Sequence, residues 1–126
     1  MDFNMKHCLV VDDSRAIRTV ARRIMEELRY SVEEAEDGFS ALRACHDKMP
    51  DLIFLDWNLP SMKGLDFVKS VRGQHEGGHP VILFCTTESD PSEIATAMAA
   101  GANEYVMKPF DGTAVRAKLA EIGVTV

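Results

Sequence analysis

The stretch LIFLD, residues 52–56, is a run of four apolar side chains that ends abruptly on an aspartate. Three other apolar runs also end at polar residues: CLVV at 8–11, VILFC at 81–85 and YVM at 105–107. Short runs that are apolar throughout are typical of strands buried on both faces of a parallel sheet. The carboxyl ends of parallel strands share one edge, so the polar residues at these ends are expected to converge there, where open α/β sheets bind ligands.

The residues at the four strand ends carry carboxylates, hydroxyls and one ammonium group. They are Asp12, Asp13, Asp56, Thr86, Thr87 and Lys108. Three unbalanced carboxylates in one place would raise their own pKa values and destabilise the fold. Two cations can balance them, the Lys108 ammonium and a divalent metal ion. Because the expected donors are carboxylate and carbonyl oxygens, without thiolate or imidazole, an open site of this kind favours Mg²⁺ over Ca²⁺. The alternative is that Asp12 and Asp13 merely begin a loop and cap a helix.

Helical patterns fill the segments between the strand patterns. We predict strands at residues 6–11, 31–35, 51–55, 81–85 and 105–107. We predict helices from Arg15 to about Arg29, from Gly38 to about Asp47, from Gly64 to about Arg72, from Pro91 to near Gly101, and from Asp111 to about Glu121. Ser14, Asp90 and Asp111 are suited to cap the helices that they precede. Glu93 is placed to bond back to the start of its helix, as in a capping box.

Five strands that alternate with five helices predict an α/β fold, a doubly wound parallel sheet with helices on both faces. The 126 residues, 46% hydrophobic and 27% charged, fit one domain with one core. We expect residues 1–126 to form a single domain without an output domain.

Composition and charge exclude several classes of protein. No apolar stretch approaches the roughly 20 residues of a membrane span, and the N-terminus lacks the apolar block of a signal peptide. We therefore expect a cytoplasmic protein that does not bind a membrane. The net charge of −6 argues against non-specific binding to nucleic acid.

Cysteines and arginines have structural interpretations. The three cysteines lack metal-ligand spacing and are predicted to be buried, reduced thiols; they are Cys8, Cys45 and Cys85. Five arginines crowd the first helix, and they are Arg15, Arg18, Arg22, Arg23 and Arg29. We interpret them as a solvated helix face, with a site for an acidic partner as the alternative.

The motifs of common small-molecule enzymes do not occur at the expected places. No glycine-rich phosphate loop follows the first strand, and no serine or cysteine nucleophile stands beside a plausible histidine base. What remains is a carboxylate nucleophile, with a metal ion, a lysine and a hydroxyl to hold a phosphoryl group. In such a site the protein contributes positioning and charge neutralisation.

Four fragments in order resemble the response-regulator receiver domain, and in particular its stand-alone, CheY-like members. They are LVVDDS (9–14), LIFLDWNLPSMKG (52–64), CTTE (85–88) and GANEYVMKPF (101–110). The resemblance covers essentially the whole chain and implies a flavodoxin-like sheet in the order 2-1-3-4-5. The chain departs from the family pattern at Lys63, where Asp or Asn is usual, at Thr87, where Ala is common, and at Phe84-Cys85.

The resemblance implies a role for each residue at the sheet edge. Asp56 would accept a phosphoryl group from a histidine kinase. Asp13, Asp56 and the backbone carbonyl of Asn58 would hold Mg²⁺, and Asp12 would support the ion through water. Lys108 would contact a phosphoryl oxygen, and its bond to Pro109 would be cis.

The resemblance also implies a conformational switch. Thr86 would turn its hydroxyl toward the modified Asp56, and Thr87 would offer a backbone N–H donor. Tyr105 would then fill the vacated space and change the surface of the fourth helix, fifth strand and fifth helix. The alternative for Tyr105 is a half-buried strand tyrosine without a switching role. Asn58 and Glu88 would influence hydrolysis of the acyl phosphate.

The leading hypothesis is therefore a monomeric signalling protein, not an enzyme, that is switched by phosphorylation. Its phosphodonor would be a CheA-like sensor histidine kinase, and its target a flagellar motor switch protein or another signalling protein. One alternative with the same fold is a phosphorelay intermediate or phosphate sink that passes its phosphoryl group to a phosphotransfer histidine. An alternative of another class is a Mg²⁺-dependent phosphatase with Asp56 as nucleophile.

Overall fold

Strands and helices alternate along the whole described chain, which in this computed structural model comprises residues 5–124. The strands are β1 (His7–Val11), β2 (Ser31–Ala35), β3 (Leu52–Asp56), β4 (Val81–Thr86) and β5 (Glu104–Met107). The helices are α1 (Arg15–Glu27), α2 (Gly38–Asp47), α3 (Gly64–Arg72), α4 (Pro91–Ala100) and α5 (Gly112–Glu121). All strand pairs are parallel, and the sheet order is β2-β1-β3-β4-β5, which confirms the predicted fold class.

The sheet separates two apolar layers because alternate residues of each strand point to opposite faces. On one face, residues such as Leu9, Ile53 and Phe84 pack with α2, α3 and α4. On the other face, residues such as Val10 and Phe54 pack with α1 and α5. Each central strand therefore buries both of its faces, which explains why its sequence is apolar throughout.

Two strands extend one residue further than predicted at their carboxyl ends. Asp56 is the last residue of β3, where it pairs in register with Cys85 of β4. Thr86 is the last residue of β4 and pairs with Met107 of β5. Both polar side chains are therefore positioned by the sheet itself, whereas the sequence interpretation placed them just after the strands.

Side-chain caps fix the starts of four helices. The capping oxygens accept the backbone N–H of a residue in the first turn; the pairs are Ser14 with Ile17, Asp37 with Ser40, Asp90 with Ser92, and Asp111 with Ala114. The predicted bond from Glu93 back to the start of α4 is not among the hydrogen bonds of the described residues. Lys63 occupies the N-cap position of α3 and makes no capping bond.

The interpretation of the arginines of α1 was partly wrong. The helix ends at Glu27, and Arg29 lies beyond it with a φ of 68°. Arg18 and Arg22 do not simply face solvent, because both donate hydrogen bonds to Glu34 of β2, at 3.0 and 2.6 Å. These bonds tie the exposed side of α1 to the edge of the sheet.

The three cysteines are buried and free, as predicted. Among residues 5–124, no helix is long and apolar enough to cross a membrane.

Candidate functional site

Four of the predicted site residues meet at the carboxyl edge of the sheet. Asp12 follows β1, Asp56 ends β3, Thr86 ends β4 and Lys108 follows β5. Asp12, Asp56 and Thr86 are only 2%, 3% and 4% exposed. Buried polar side chains of this kind require partners, so their contacts show how the site is held together.

Lys108 joins the two buried carboxylates. Its Nζ lies 3.1 Å from Asp12 Oδ2 and 3.2 Å from Asp56 Oδ1. Burial lowers the pKa of Lys108, but the hydrogen bond to Asp12 and the neighbouring negative charges outweigh this effect, so that the pKa lies above its ordinary value. The lysine is therefore held as a cation between the carboxylates, at the sheet edge where the sequence analysis placed it.

Asp12 retains a raised pKa in spite of this ion pair. Burial is the largest cause, and the hydrogen bonds from the Ser14 N–H and from Lys108 oppose it only in part. The nearby charge of Asp56 raises the pKa further. One ammonium faces two buried carboxylates, so an additional cation would be stabilised there.

Cys85 belongs to the same cluster, which the sequence analysis did not anticipate. Its sulfur and one oxygen each of Asp12 and Asp56 all lie within 4.8 Å of one another. Burial raises the pKa of Cys85 to about 12, so the side chain is a neutral thiol at neutral pH and a poor metal ligand. The register pairing of Asp56 with Cys85 places the thiol here, and the sequence could have shown it once β3 and β4 were aligned.

Asp13 is separate from this buried cluster. Its side chain is exposed, and it is not one of the three residues whose ligand atoms lie within 4.8 Å of one another. Within residues 5–124, neither the Asp13 carboxylate nor Asp56 Oδ2 takes part in a hydrogen bond, whereas Asp56 Oδ1 accepts the Asn58 N–H at 3.1 Å. Hard carboxylate oxygens at the open side of the site fit the predicted Mg²⁺.

The loop after β4 begins at the site. Thr86 Oγ1 accepts the backbone N–H of Glu88 at 3.1 Å, which holds the threonine hydroxyl at the turn. The side chains of Thr87 and Glu88 are exposed, and so is that of Asn58 on the opposite loop. The bond between Lys108 and Pro109 is cis, as the family resemblance implied.

Tyr105 is half-buried and lies on β5, at the side of the sheet covered by α4. Its ring centroid is 5.9 Å from that of Phe84, and Lys118 Nζ of α5 lies 4.5 Å from the ring centroid. The tyrosine therefore contacts both a core ring and a cation on the neighbouring helix.

A cavity of about 610 Å³ adjoins the site between α3 and α4. The two loops that flank Asp56 contribute Trp57, Asn58 and Glu88, and Lys63 lies at the start of α3. The first turns of α4 contribute Ser92, Glu93 and Thr96.

Comparisons with known proteins agree with this architecture. Residues 8–120 match the response regulator receiver domain family. The chemotaxis protein CheY-3 of Vibrio cholerae is 35% identical over 120 residues, which are 94% of this chain and 92% of that protein. The chemotaxis protein CheY of Pseudomonas aeruginosa is 34% identical over 115 residues, which cover 90% and 93% of the two chains.

Solved structures show the same fold. Chemotaxis protein CheY4 of Vibrio cholerae superposes with a TM-score of 0.87 at 36% identity, and the match covers 94% of this chain and 98% of that one. The receiver domain of the sensor histidine kinase PA1611 from Pseudomonas aeruginosa, solved with a magnesium ion in its active-site cleft, gives a TM-score of 0.82 at 28% identity and the same coverage. On this evidence the chain belongs to the response regulator receiver domain family and is homologous to chemotaxis CheY proteins.

Proposed function

We propose that Asp56 accepts a phosphoryl group from the phosphohistidine of a sensor histidine kinase and that the protein relays this signal to a binding partner. The observation that carries the proposal is the position of Asp56, which is buried at the sheet edge with Asp12, Lys108 and Thr86 around it. A carboxylate in such surroundings can act as a nucleophile toward phosphorus, because the cations next to it neutralise the charge of the incoming group.

We expect Oδ2 of Asp56 to be the attacking oxygen. Oδ1 is occupied by the Lys108 ammonium and by the Asn58 N–H, so Oδ2 is the free oxygen. Attack by Oδ2 forms a phosphorus–oxygen bond while the phosphorus–nitrogen bond to the donor imidazole breaks, and the imidazole leaves with the electron pair of that bond. Lys108 would contact one of the new phosphoryl oxygens, the Thr86 hydroxyl would turn toward another, and Thr87 would offer its backbone N–H.

Mg²⁺ is the cation that we expect to complete the site. Asp13, Asp56 and the Asn58 carbonyl would hold the ion, with Asp12 acting through water, and the ion would neutralise charge on the phosphoryl oxygens. The magnesium ion in the related PA1611 receiver domain supports this assignment. The buried thiol of Cys85 would stay outside the ligand set, because Mg²⁺ is a hard cation that prefers oxygen ligands to sulfur.

The output that we propose is a change of the surface formed by α4, β5 and α5. The Thr86 hydroxyl would exchange its bond from the Glu88 N–H for one with the phosphoryl group, and Tyr105 would move into the space that the threonine leaves. The homology to CheY proteins supports a CheA-like kinase as donor and a motor switch protein or another signalling protein as target. Exposed Asn58 and Glu88 would control the access of hydrolytic water to the acyl phosphate.

The test combines intact mass with fluorescence. Trp57 is the only tryptophan and adjoins Asp56, so added Mg²⁺ should change its emission, and acetyl phosphate should then change it again. The mass should rise by one phosphoryl group, and peptide mapping should place that group on Asp56. Asp56→Asn should lose both the mass increase and the second fluorescence change. A label on another residue, or steady turnover of an ordinary phosphomonoester that requires Asp56, would overturn the proposal.

A further inference from the structure

Arg72, the last residue of α3, uses every N–H donor of its guanidinium group. Nη1 donates to the carbonyls of Gly77 and Pro80, at 3.0 and 2.7 Å. Nε and Nη2 both donate to the Gly101 carbonyl, at 3.1 and 2.7 Å, and Nη2 also donates to Asn103 Oδ1 at 3.0 Å. A guanidinium has five N–H donors in a fixed planar fork, so all five donors of this side chain are hydrogen-bonded.

These bonds tie together parts of the chain that are distant in sequence. Gly101 is the C-cap residue of α4, and its φ of 124° lets the chain turn close over the arginine. A Cβ atom on Gly101 would lie only 2.9 Å from Arg72 Cγ. Asn103 connects this point to the sheet, because its Oδ1 also accepts the N–H of Ile82 at 2.8 Å. The C-terminal end of α4 is therefore fixed to α3 and to the starts of β4 and β5.

The rest of α4 has little such support. Ala97 is the only buried residue of the helix, and it lies in the C-terminal half. In the N-terminal half, Ile94 is half-buried, whereas Ser92 and Glu93 are exposed and line the cavity of about 610 Å³. Thr96, just past the middle of the helix, is also exposed and lines this cavity. The opposite wall of the cavity includes Trp57, in the loop after β3, and Leu65, in the first turn of α3. The N-terminal half of α4 consequently has open space between it and α3.

We infer that Arg72 is a positioning residue that makes the C-terminal end of α4 a pivot, about which the N-terminal half closes toward α3 when Asp56 is phosphorylated. The loop that joins Thr86 to α4 begins at the site and would transmit the change at Asp56 to the helix. This link to Asp56 rests on the proposed function. The anchor itself does not rest on that function. The pivot converts a movement at Thr86 and Glu88 into a tilt of the whole helix, because only one of its ends is fixed.

Hydrogen–deuterium exchange of the full chain tests the anchor. In the unphosphorylated protein, amides of residues 95–97 should exchange faster than those of residues 98–102. Arg72→Met should raise exchange at 98–102 by about tenfold or more, because the carbonyl of Gly101 loses both of its donors. Arg72→Lys should give an intermediate increase, since an ammonium cannot reproduce the planar fork. Amides of β1 and β3 should stay unchanged and report that the variants are folded.

Two outcomes would overturn the anchor. The first is unchanged exchange at residues 98–102 in a folded Arg72→Met protein. The second concerns the case in which Arg72→Met loses the protection of β3 and is therefore misfolded. The test then uses Arg72→Lys instead, and exchange at residues 98–102 equal to that of the wild type would contradict the inference.

A second comparison tests the closure. With Mg²⁺ and acetyl phosphate, residues 95–97 of the wild type should become more protected, while residues 98–102 should not change. Thr96→Phe fills the cavity and should abolish this response although the intact mass still shows the phosphoryl group. Ala95→Phe is the matched control, since residue 95 is an exposed position of α4 outside the cavity lining, and it should respond like the wild type.

The two comparisons separate the inference from the proposed function. A wild-type response in phosphorylated Thr96→Phe would refute the closure. If no phosphoryl group appears on the wild type, the proposed function and its coupling to α4 both fail, and the anchor is judged by the unphosphorylated exchange data alone.

Discussion

The Lys108 ammonium lies 3.2 Å from Asp56 Oδ1, so the proposed acceptor carboxylate is already paired with a cation. The same ammonium contacts Asp12, and both carboxylates are almost fully buried. We therefore expect Lys108 to contribute both to the stability of the fold and to the proposed phosphorylation of Asp56. The two contributions can be measured separately.

Lys108→Met should destabilise the protein and also prevent signalling. Removal of the ammonium leaves two buried carboxylates without their partner, and the free energy of unfolding should fall by about 3 kcal/mol in the absence of divalent cations. Mg²⁺ should restore part of this loss, because the ion still binds the carboxylates. Urea unfolding with and without Mg²⁺ measures the loss of stability and its partial recovery.

Lys69→Met, at an exposed position of α3, is the control for Lys108→Met and should leave the unfolding curve nearly unchanged. Equal stability of Lys108→Met and wild type in metal-free buffer would contradict the role of the lysine as a balancing cation.

Glu34 should make the stability of the protein depend on acid pH. The hydrogen bond from Arg22 is the main cause that lowers the pKa of Glu34 below its ordinary value of 4.5, and the bond from Arg18 adds to it. A carboxyl group whose pKa is lowered in the folded state stabilises the protein above the pKa of the unfolded state. This contribution is lost as the pH falls through the folded-state pKa.

Glu34→Gln should therefore lower the free energy of unfolding by about 1 kcal/mol at neutral pH. The difference from the wild type should shrink below the ordinary pKa of 4.5 and vanish at more acid pH. Thermal unfolding over a pH series measures it. A difference that stays constant down to the acid limit would show that the charge of Glu34 is not involved.

Lys63→Asn should stabilise α3. Lys63 has the extended backbone of an N-cap residue but makes no capping bond, whereas the four capping side chains of the other helices do. An asparagine there can accept an N–H of the first turn, which is worth about 1 kcal/mol. Urea unfolding provides the measurement. Lys69→Asn, within the same helix, should instead be neutral or slightly destabilising, so a gain in both variants would point to loss of charge as the cause.

The three thiols should be unreactive in the native protein. They are at most 1% exposed, and burial raises the pKa of each, to about 11 for Cys45 and about 12 for Cys85. A thiol-specific disulfide reagent should therefore label them only as fast as the protein unfolds, and should label all three in denaturant. Rapid labelling of one thiol in native buffer would show that a cysteine is accessible.

The sequence predicted the features that depend on local pattern. Apolar runs located β1, β3, β4 and β5, and capping residues such as Ser14 and Asp111 located helix starts. Convergence of Asp12, Asp56, Thr86 and Lys108 followed from parallel topology alone. Their ion pairs could be anticipated since buried carboxylates need a cation.

Features that depend on contacts between distant segments were missed. The thiol of Cys85 enters the site through its register with Asp56, and register is not visible in either strand by itself. Arg72 resembles any exposed arginine at a helix end, although all of its donors bind backbone or side-chain oxygens of later segments. The arginines of α1 acquire a partner, Glu34, only when β2 is placed beside β1.

Because α4 contributes a single buried residue to the core, most of its exposed side chains can be substituted with little loss of stability. Substitutions along this helix can therefore change what the protein binds without disturbing the strands that carry the acidic cluster. Because substitutions are tolerated on the surface of α4 but not at the sheet edge, the same fold would be able to serve many unrelated pathways.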